Sequence, residues 1–144
     1  MLASFFGPNS IAIVKEQLTF QSAVAMAVEA LVADEKAAPQ YSLEVLESLE
    51  QLGPYFVIAP GIALAHAKPS ASVIEVGVSL LRLDVPVVSG STNDPVRLLF
   101  AFCSPAADAH IEMLGELASL LSDQNKVNVL LNASAESVIR ELLF

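Results

Sequence analysis

The chain has no tryptophan, two tyrosines, two histidines and a single cysteine, and each scarcity closes off a class of explanation. Cys103 has no partner for an intramolecular disulfide. It ends the apolar run LLFAFC (residues 98–103), where a free cysteine serves as a small buried hydrophobe. No nucleophile elbow or papain-like context surrounds it. Long apolar runs are also missing: Pro60, Gly61 and His66 interrupt the longest candidate well short of the ~18 residues a membrane helix needs. The opening residues, MLASFFGP, have neither the basic start nor the extended apolar core of a secretory signal, so a cytoplasmic location is expected. Positive charge is scarce. Seven Lys and Arg stand against 16 Asp and Glu, for a net charge of −9. That balance excludes the cationic footprint nucleic acids require and suits encounter with basic partners.

What remains is apolar: 54% of the 144 residues are hydrophobic and only 16% are charged, which fits one folded domain over residues 1–144. Thr19 predicts a helix N-cap, followed by Val24, Val28, Leu31 and Val32 at helical spacing. A second helix is expected over residues 39–52, with Tyr41, Val45, Leu49 and Leu52 on one face and Gly53-Pro54 as the stop. Extended runs follow over residues 55–59, 62–65, 73–83 and 96–104, the last two apolar nearly throughout, as in strands covered on both faces. A helical period then returns with Ile111, Leu114, Leu117, Ala118 and Leu121 facing the core. Residues 123–131 read as a helix or, over 127–131, a strand, and Ser134 is placed to cap a final helix carrying Val138, Ile139, Leu142 and Leu143. This order implies an α/β fold with helices on both faces of a sheet.

Chemistry near neutrality falls to His66 and His110, the only histidines. Each sits where an apolar segment meets a turn or a helix start. Paired with Asp108 they suggest a metal site, but no His-x-x-x-His or Cys-x-x-Cys spacing supports it. Asn93 and Asp94 are expected to form an Asx turn before Pro95.

The string GPYFVIAPGIALAHAKP (residues 53–69) resembles the Gly-Ile-Ala-x-Pro-His signature of the mannitol/fructose-type enzyme IIA of the bacterial phosphotransferase system, and looks most like its ascorbate branch. The blocks NDPV (93–96) and DAH (108–110) fall in that family's order, and the resemblance spans nearly the whole chain. It implies a three-layer sandwich with a mixed β-sheet and no metal or organic cofactor. It also implies a phosphocarrier: His66 takes a phosphoryl group from phospho-HPr and passes it to a cysteine of the cognate enzyme IIB, with the membrane IIC involved only indirectly. His110 becomes the supporting histidine, and L-ascorbate the implied sugar. A regulatory IIA-like module, whose phosphorylation state a partner reads, shares the same chemistry and stays open. Two departures stand out. Ala65 replaces the proline before the histidine, and Glu50 occupies the place of an arginine found in the mannitol-type branch. Lys68, two residues after His66, is the expected source of charge neutralisation. Backbone N–H groups near Gly61 or at the helix start after His110 are expected to assist. The apolar fraction permits a homodimer.

Overall fold

Alternation along the central strands divides the core in two. The computed structural model describes residues 1–144. It comprises β1 (Ile11–Val14), α1 (Phe20–Ala33), α2 (Gln40–Leu52), β2 (Val57–Ala59), β3 (Ile62–Ala65), β4 (Gly77–Val87), β5 (Val96–Cys103), α3 (Ile111–Ser122), α4 (Gln124–Asn132) and α5 (Glu136–Leu143). Along β5, Leu99, Ala101 and Cys103 join one apolar cluster with α1 and α2, whereas Leu98, Phe100 and Phe102 join another with α3, α4 and α5. Successive strand residues point to opposite faces, so a strand apolar throughout must be covered twice. The five strands form one sheet in the order β1-β4-β5-β3-β2. β1 runs parallel to β4 and β3 parallel to β5, while β4–β5 and β2–β3 are antiparallel. This is the expected α/β architecture: a mixed sheet between two helical layers.

Local chemistry explains the elements that flank the site. Thr19 Oγ1 accepts the Ser22 N–H at 3.1 Å and caps α1. Ala23 and Ala27 are fully buried beside Val24, Val28 and Leu31, and α1 lies close enough for Ser79 Oγ on β4 to donate to the Ala27 carbonyl at 2.7 Å. Gly53 ends α2 at φ +72, with its N–H bonded to the Leu49 carbonyl. Pro60-Gly61 turns β2 into β3. Gly61 takes φ +75 there, which an L side chain tolerates poorly.

Several expectations need correction. β1 was not anticipated, because four residues at a sheet edge are too few to show a period. The strand expected over 73–83 begins at Gly77 and continues to Val87. Residues 73–76 are diverted, since Val73 bridges Ala37 and the Ile74 and Glu75 amides both donate to the Lys36 carbonyl. The strand's far end is held by pairing of Val87 with Val96. α3 buries Met113, Leu117 and Leu120; of the expected face Leu117 is buried, Leu114 and Leu121 pack only partly buried against the same cluster, and Ala118 and Ile111 are exposed, Ile111 at 66%. Two apolar stripes cross at Leu117 roughly 90° apart at 3.6 residues per turn, and spacing alone does not choose between them. Leu52, on the expected face of α2, is exposed where the chain turns at Gly53. Residues 123–131 are settled as helix, capped by Asp123 Oδ1 accepting from the Asn125 and Lys126 amides. α5 begins after Ala135 with no side-chain cap, so Ser134 lies one residue too early.

Candidate active site

His66 follows directly from the last residue of β3. Ile62 and Leu64 face the α3 side of the sheet while Ala63 and Ala65 face α1, so one more step of alternation carries His66 onto the α3 side. There it stacks on Phe102 of β5, with centroids 4.7 Å apart and ring planes 21° apart. His110, the residue preceding α3, leans on Phe102 at 5.4 Å and 30°. One phenylalanine thus carries both histidines. They line a cleft of about 300 Å³ with Leu64, Lys68, Ser104 and Leu114. The cleft opens at the carboxyl ends of the parallel pair β3 and β5, a usual place for sites in α/β sheets.

Hydrogen bonds fix the state of the His66 ring. Its Nδ1 lies 2.8 Å from the Leu64 carbonyl oxygen. A carbonyl only accepts, so Nδ1 carries the proton and Nε2 keeps a lone pair. Nε2 has no hydrogen-bond partner and is not buried. Burial holds the His66 pKa below its ordinary value. The Leu64 bond opposes that shift and the nearby His110 adds to it. The neutral imidazole is therefore favoured. His110 Nδ1, in contrast, is buried with no partner at all. An unsatisfied buried nitrogen costs about 1–3 kcal/mol.

The segment after His66 is held by α2 and by the turn before β2. Tyr41 receives the Ala67 N–H at 3.0 Å and lies 2.9 Å from the Phe102 carbonyl oxygen. Tyr55 Oη donates to the His66 carbonyl at 2.9 Å. Glu44, one turn on from Tyr41, accepts from the hydroxyls of Ser70 and Ser72. Neither tyrosine nor Phe102 was marked as a site residue from sequence. The alternation Leu98, Phe100, Phe102 was the available signal for the latter.

Residues 4–144 match a family model described as the phosphoenolpyruvate-dependent sugar phosphotransferase system, EIIA 2. The chain belongs to this enzyme IIA family. The ascorbate-specific EIIA component of Escherichia coli K12 is 35% identical over 137 residues, covering 94% of this chain and 89% of the relative. The solution structure of the mannitol-specific cryptic phosphotransferase enzyme IIA from Escherichia coli matches with a TM-score of 0.89 at 27% identity, over 99% of this chain and 97% of that one. The Escherichia coli mannitol enzyme IIA solved in complex with phosphorylated enzyme IIB shares the fold at a TM-score of 0.80 and 24% identity, over 96% and 97% of the two chains. The chain is thus a sugar phosphotransferase-system component of the enzyme IIA type.

Within this enzyme IIA the other sequence candidates sort clearly. Lys68 is exposed and is the one Lys or Arg lining the cleft. Glu50 lines a different hollow, with Phe20, Leu46 and Leu49, and is not among the cleft residues. Gly61 is no oxyanion donor, because the Asn93 carbonyl takes its N–H at 2.9 Å. Asn93 also donates from Nδ2 to the Val57 carbonyl. Asp94 accepts from the Ser89 and Gly90 amides, bracing the preceding loop rather than forming an Asx turn toward Pro95. Asp108 is exposed and outside the cleft lining, and no group of three or more His, Cys, Asp or Glu stands at metal-binding spacing. Cys103 is buried under α1 and α2, where burial pushes its thiol up to about 12. No helix is long and apolar enough to cross a membrane.

Proposed function

We propose that residues 1–144 act as one cytoplasmic enzyme IIA domain that accepts a phosphoryl group from phospho-HPr on Nε2 of His66 and passes it to a cysteine of enzyme IIB. The observation that carries this reading is the Nδ1–H bond to the Leu64 carbonyl, which leaves Nε2 as the free nucleophile at the cleft. In the first step the Nε2 lone pair attacks phosphorus in line as the N–P bond of the donor histidine breaks. In the second, a IIB thiolate attacks the same phosphorus, and His66 leaves as the neutral Nδ1–H imidazole. Such transfers have a loose transition state whose charge sits on the equatorial oxygens, so positioning and hydrogen-bond donors supply most of the catalysis.

His110 answers the need for a donor. Its unpartnered Nδ1 is suited to bond a phosphoryl oxygen, which would satisfy that nitrogen. The first turn of α3, opening at His110 without a side-chain cap, offers backbone N–H groups on the same side. Lys68 supplies a cation at the rim. The net charge of −9 favours docking of the basic HPr. IIB as acceptor is supported by the related mannitol enzyme IIA solved with phosphorylated IIB. L-ascorbate as the sugar is supported by the 35% identity to an ascorbate-specific component.

The test is transfer of labelled phosphate from phosphoenolpyruvate through enzyme I and HPr. Wild type should become labelled, His66→Gln should not, and His110→Ala should be slowed. An unlabelled wild type, with HPr demonstrably phosphorylated, would end the carrier reading.

A further inference from the structure

We propose that Tyr41 and Tyr55, the only tyrosines in the chain, are positioning residues that clamp the peptide unit joining His66 to Ala67 and so fix the aim of the His66 imidazole. The inference rests on His66 as the phosphoryl acceptor. The two hydroxyls grip opposite poles of one peptide group. Tyr55 Oη donates to its oxygen, the His66 carbonyl, at 2.9 Å, and Tyr41 Oη accepts from its N–H, the Ala67 amide, at 3.0 Å. The Tyr41 proton is left for the Phe102 carbonyl at 2.9 Å, with the Ala67 carbonyl further off at 3.2 Å.

Topology shows why a clamp is needed there. The β3–β5 ladder has its last rung at Ala65 and Ala101, so His66 lies just past it, whereas its platform Phe102 is still paired with Val78 of β4. Without further bonds the backbone dihedrals of His66 would be free to drift, and the ring with them. Tyr41 bridges the Ala67 N–H to the Phe102 carbonyl and extends the ladder by one side chain, tying nucleophile to platform. It is fully buried, and burial keeps its phenol protonated across the working pH range, so it remains both donor and acceptor. Tyr55 adds a second constraint by placing its ring edge-on to His66 at 5.7 Å. The two phenols come from different elements, α2 and the turn before β2, so the peptide is held from two directions. Small displacements of a nucleophile carry large rate costs in line-of-attack chemistry, which gives such a clamp a kinetic role.

The experiment compares Tyr41→Phe and Tyr55→Phe in the full chain by two readouts. One is single-turnover transfer from phospho-HPr as a function of HPr concentration. The other is the ¹⁵N NMR signature of the His66 ring. The clamp predicts about a tenfold fall in the saturating rate with the half-saturating concentration unchanged, and ring nitrogens averaged between tautomers. Asp123→Ala, which removes the side-chain cap of α4 at the opposite end of α3 from His110, should change neither readout, which separates positioning from general loss of stability. Folded Tyr41→Phe and Tyr55→Phe with wild-type saturating rates and a wild-type ring signature would overturn the clamp. Should Tyr41→Phe fail to fold, Tyr55→Phe decides alone, since its hydroxyl belongs to a residue 42% exposed. Should wild type accept no phosphate, the carrier reading falls while the ring signature still decides the clamp.

Discussion

Replacing Phe102 with leucine would test whether the aromatic platform is mechanistic or merely filling. Phe102 is 5% exposed and carries His66 at 4.7 Å and His110 at 5.4 Å. Leucine keeps the site apolar and leaves the backbone carbonyl to Tyr41, so the loss is chiefly that of two ring contacts. Aromatic pairs contribute about 0.5–1.5 kcal/mol each beyond the area they bury. With a small packing mismatch, destabilisation of about 2 kcal/mol is expected. For a chain of this size that corresponds to a Tm lower by roughly 4–8 °C. The two ring contacts also order the imidazole, and losing about 1.4 kcal/mol of that ordering at the transition state would slow transfer about tenfold. Thermal unfolding and single-turnover transfer from phospho-HPr, run on the same preparation, measure both. A Tm drop of that size with an unchanged transfer rate would refute the platform argument and leave Phe102 as an ordinary core residue.

The remaining predictions concern protons and charges. The His66 pKa is lowered, chiefly by burial, so its neutral form persists below pH 6.5, and phosphoryl acceptance should hold there and fall only as pH drops through the folded-state pKa. The unfolded chain takes up that proton first, so unfolding free energy should fall as pH decreases from about 6.5, and His66→Gln should flatten the dependence in urea titrations. Lys68→Ala should slow transfer roughly two- to fivefold, because an exposed cation neutralises charge weakly; a full wild-type rate would remove Lys68 from the mechanism. Arg82, 5% exposed, donates to the Leu130 and Leu131 carbonyls at the end of α4 and pairs with Asp84 at 2.8 Å. Arg82→Met should cost about 1–3 kcal/mol in denaturant unfolding by leaving the Leu130 carbonyl without that donor, while Arg97 still donates to Leu131, with the transfer rate of the folded protein unchanged.

The parts legible in the sequence are those where one physical signal dominates. Thr19, the Gly53 stop and the doubly apolar β5 each carry a local rule that tertiary structure does not override. His66 and His110 were legible as candidates through the motif, and the placing of His66 on Phe102 follows from strand alternation once β3 and β5 are parallel neighbours, while the turn into α3 brings His110 to the same ring. That neighbourhood is non-local, and spacing along one chain does not report it. The same limit hid β1, whose four residues become a strand only by pairing with β4, and the true buried stripe of α3, which the sheet selects from two overlapping candidates. Tyr41 and Tyr55 read as core and strand residues because an aromatic ring satisfies both descriptions. Only the fold shows their hydroxyls converging on one peptide.

The most direct measurement of the account is the site of phosphorylation at atomic resolution. Protein labelled with ¹⁵N in its histidine rings and phosphorylated by phospho-HPr would be examined by ¹H–¹⁵N and ³¹P correlation. The account predicts phosphorus bonded to Nε2 of His66, with Nδ1 still protonated toward the Leu64 carbonyl and His110 unmodified. Phosphorus on Nδ1 of His66, or on His110, would contradict it.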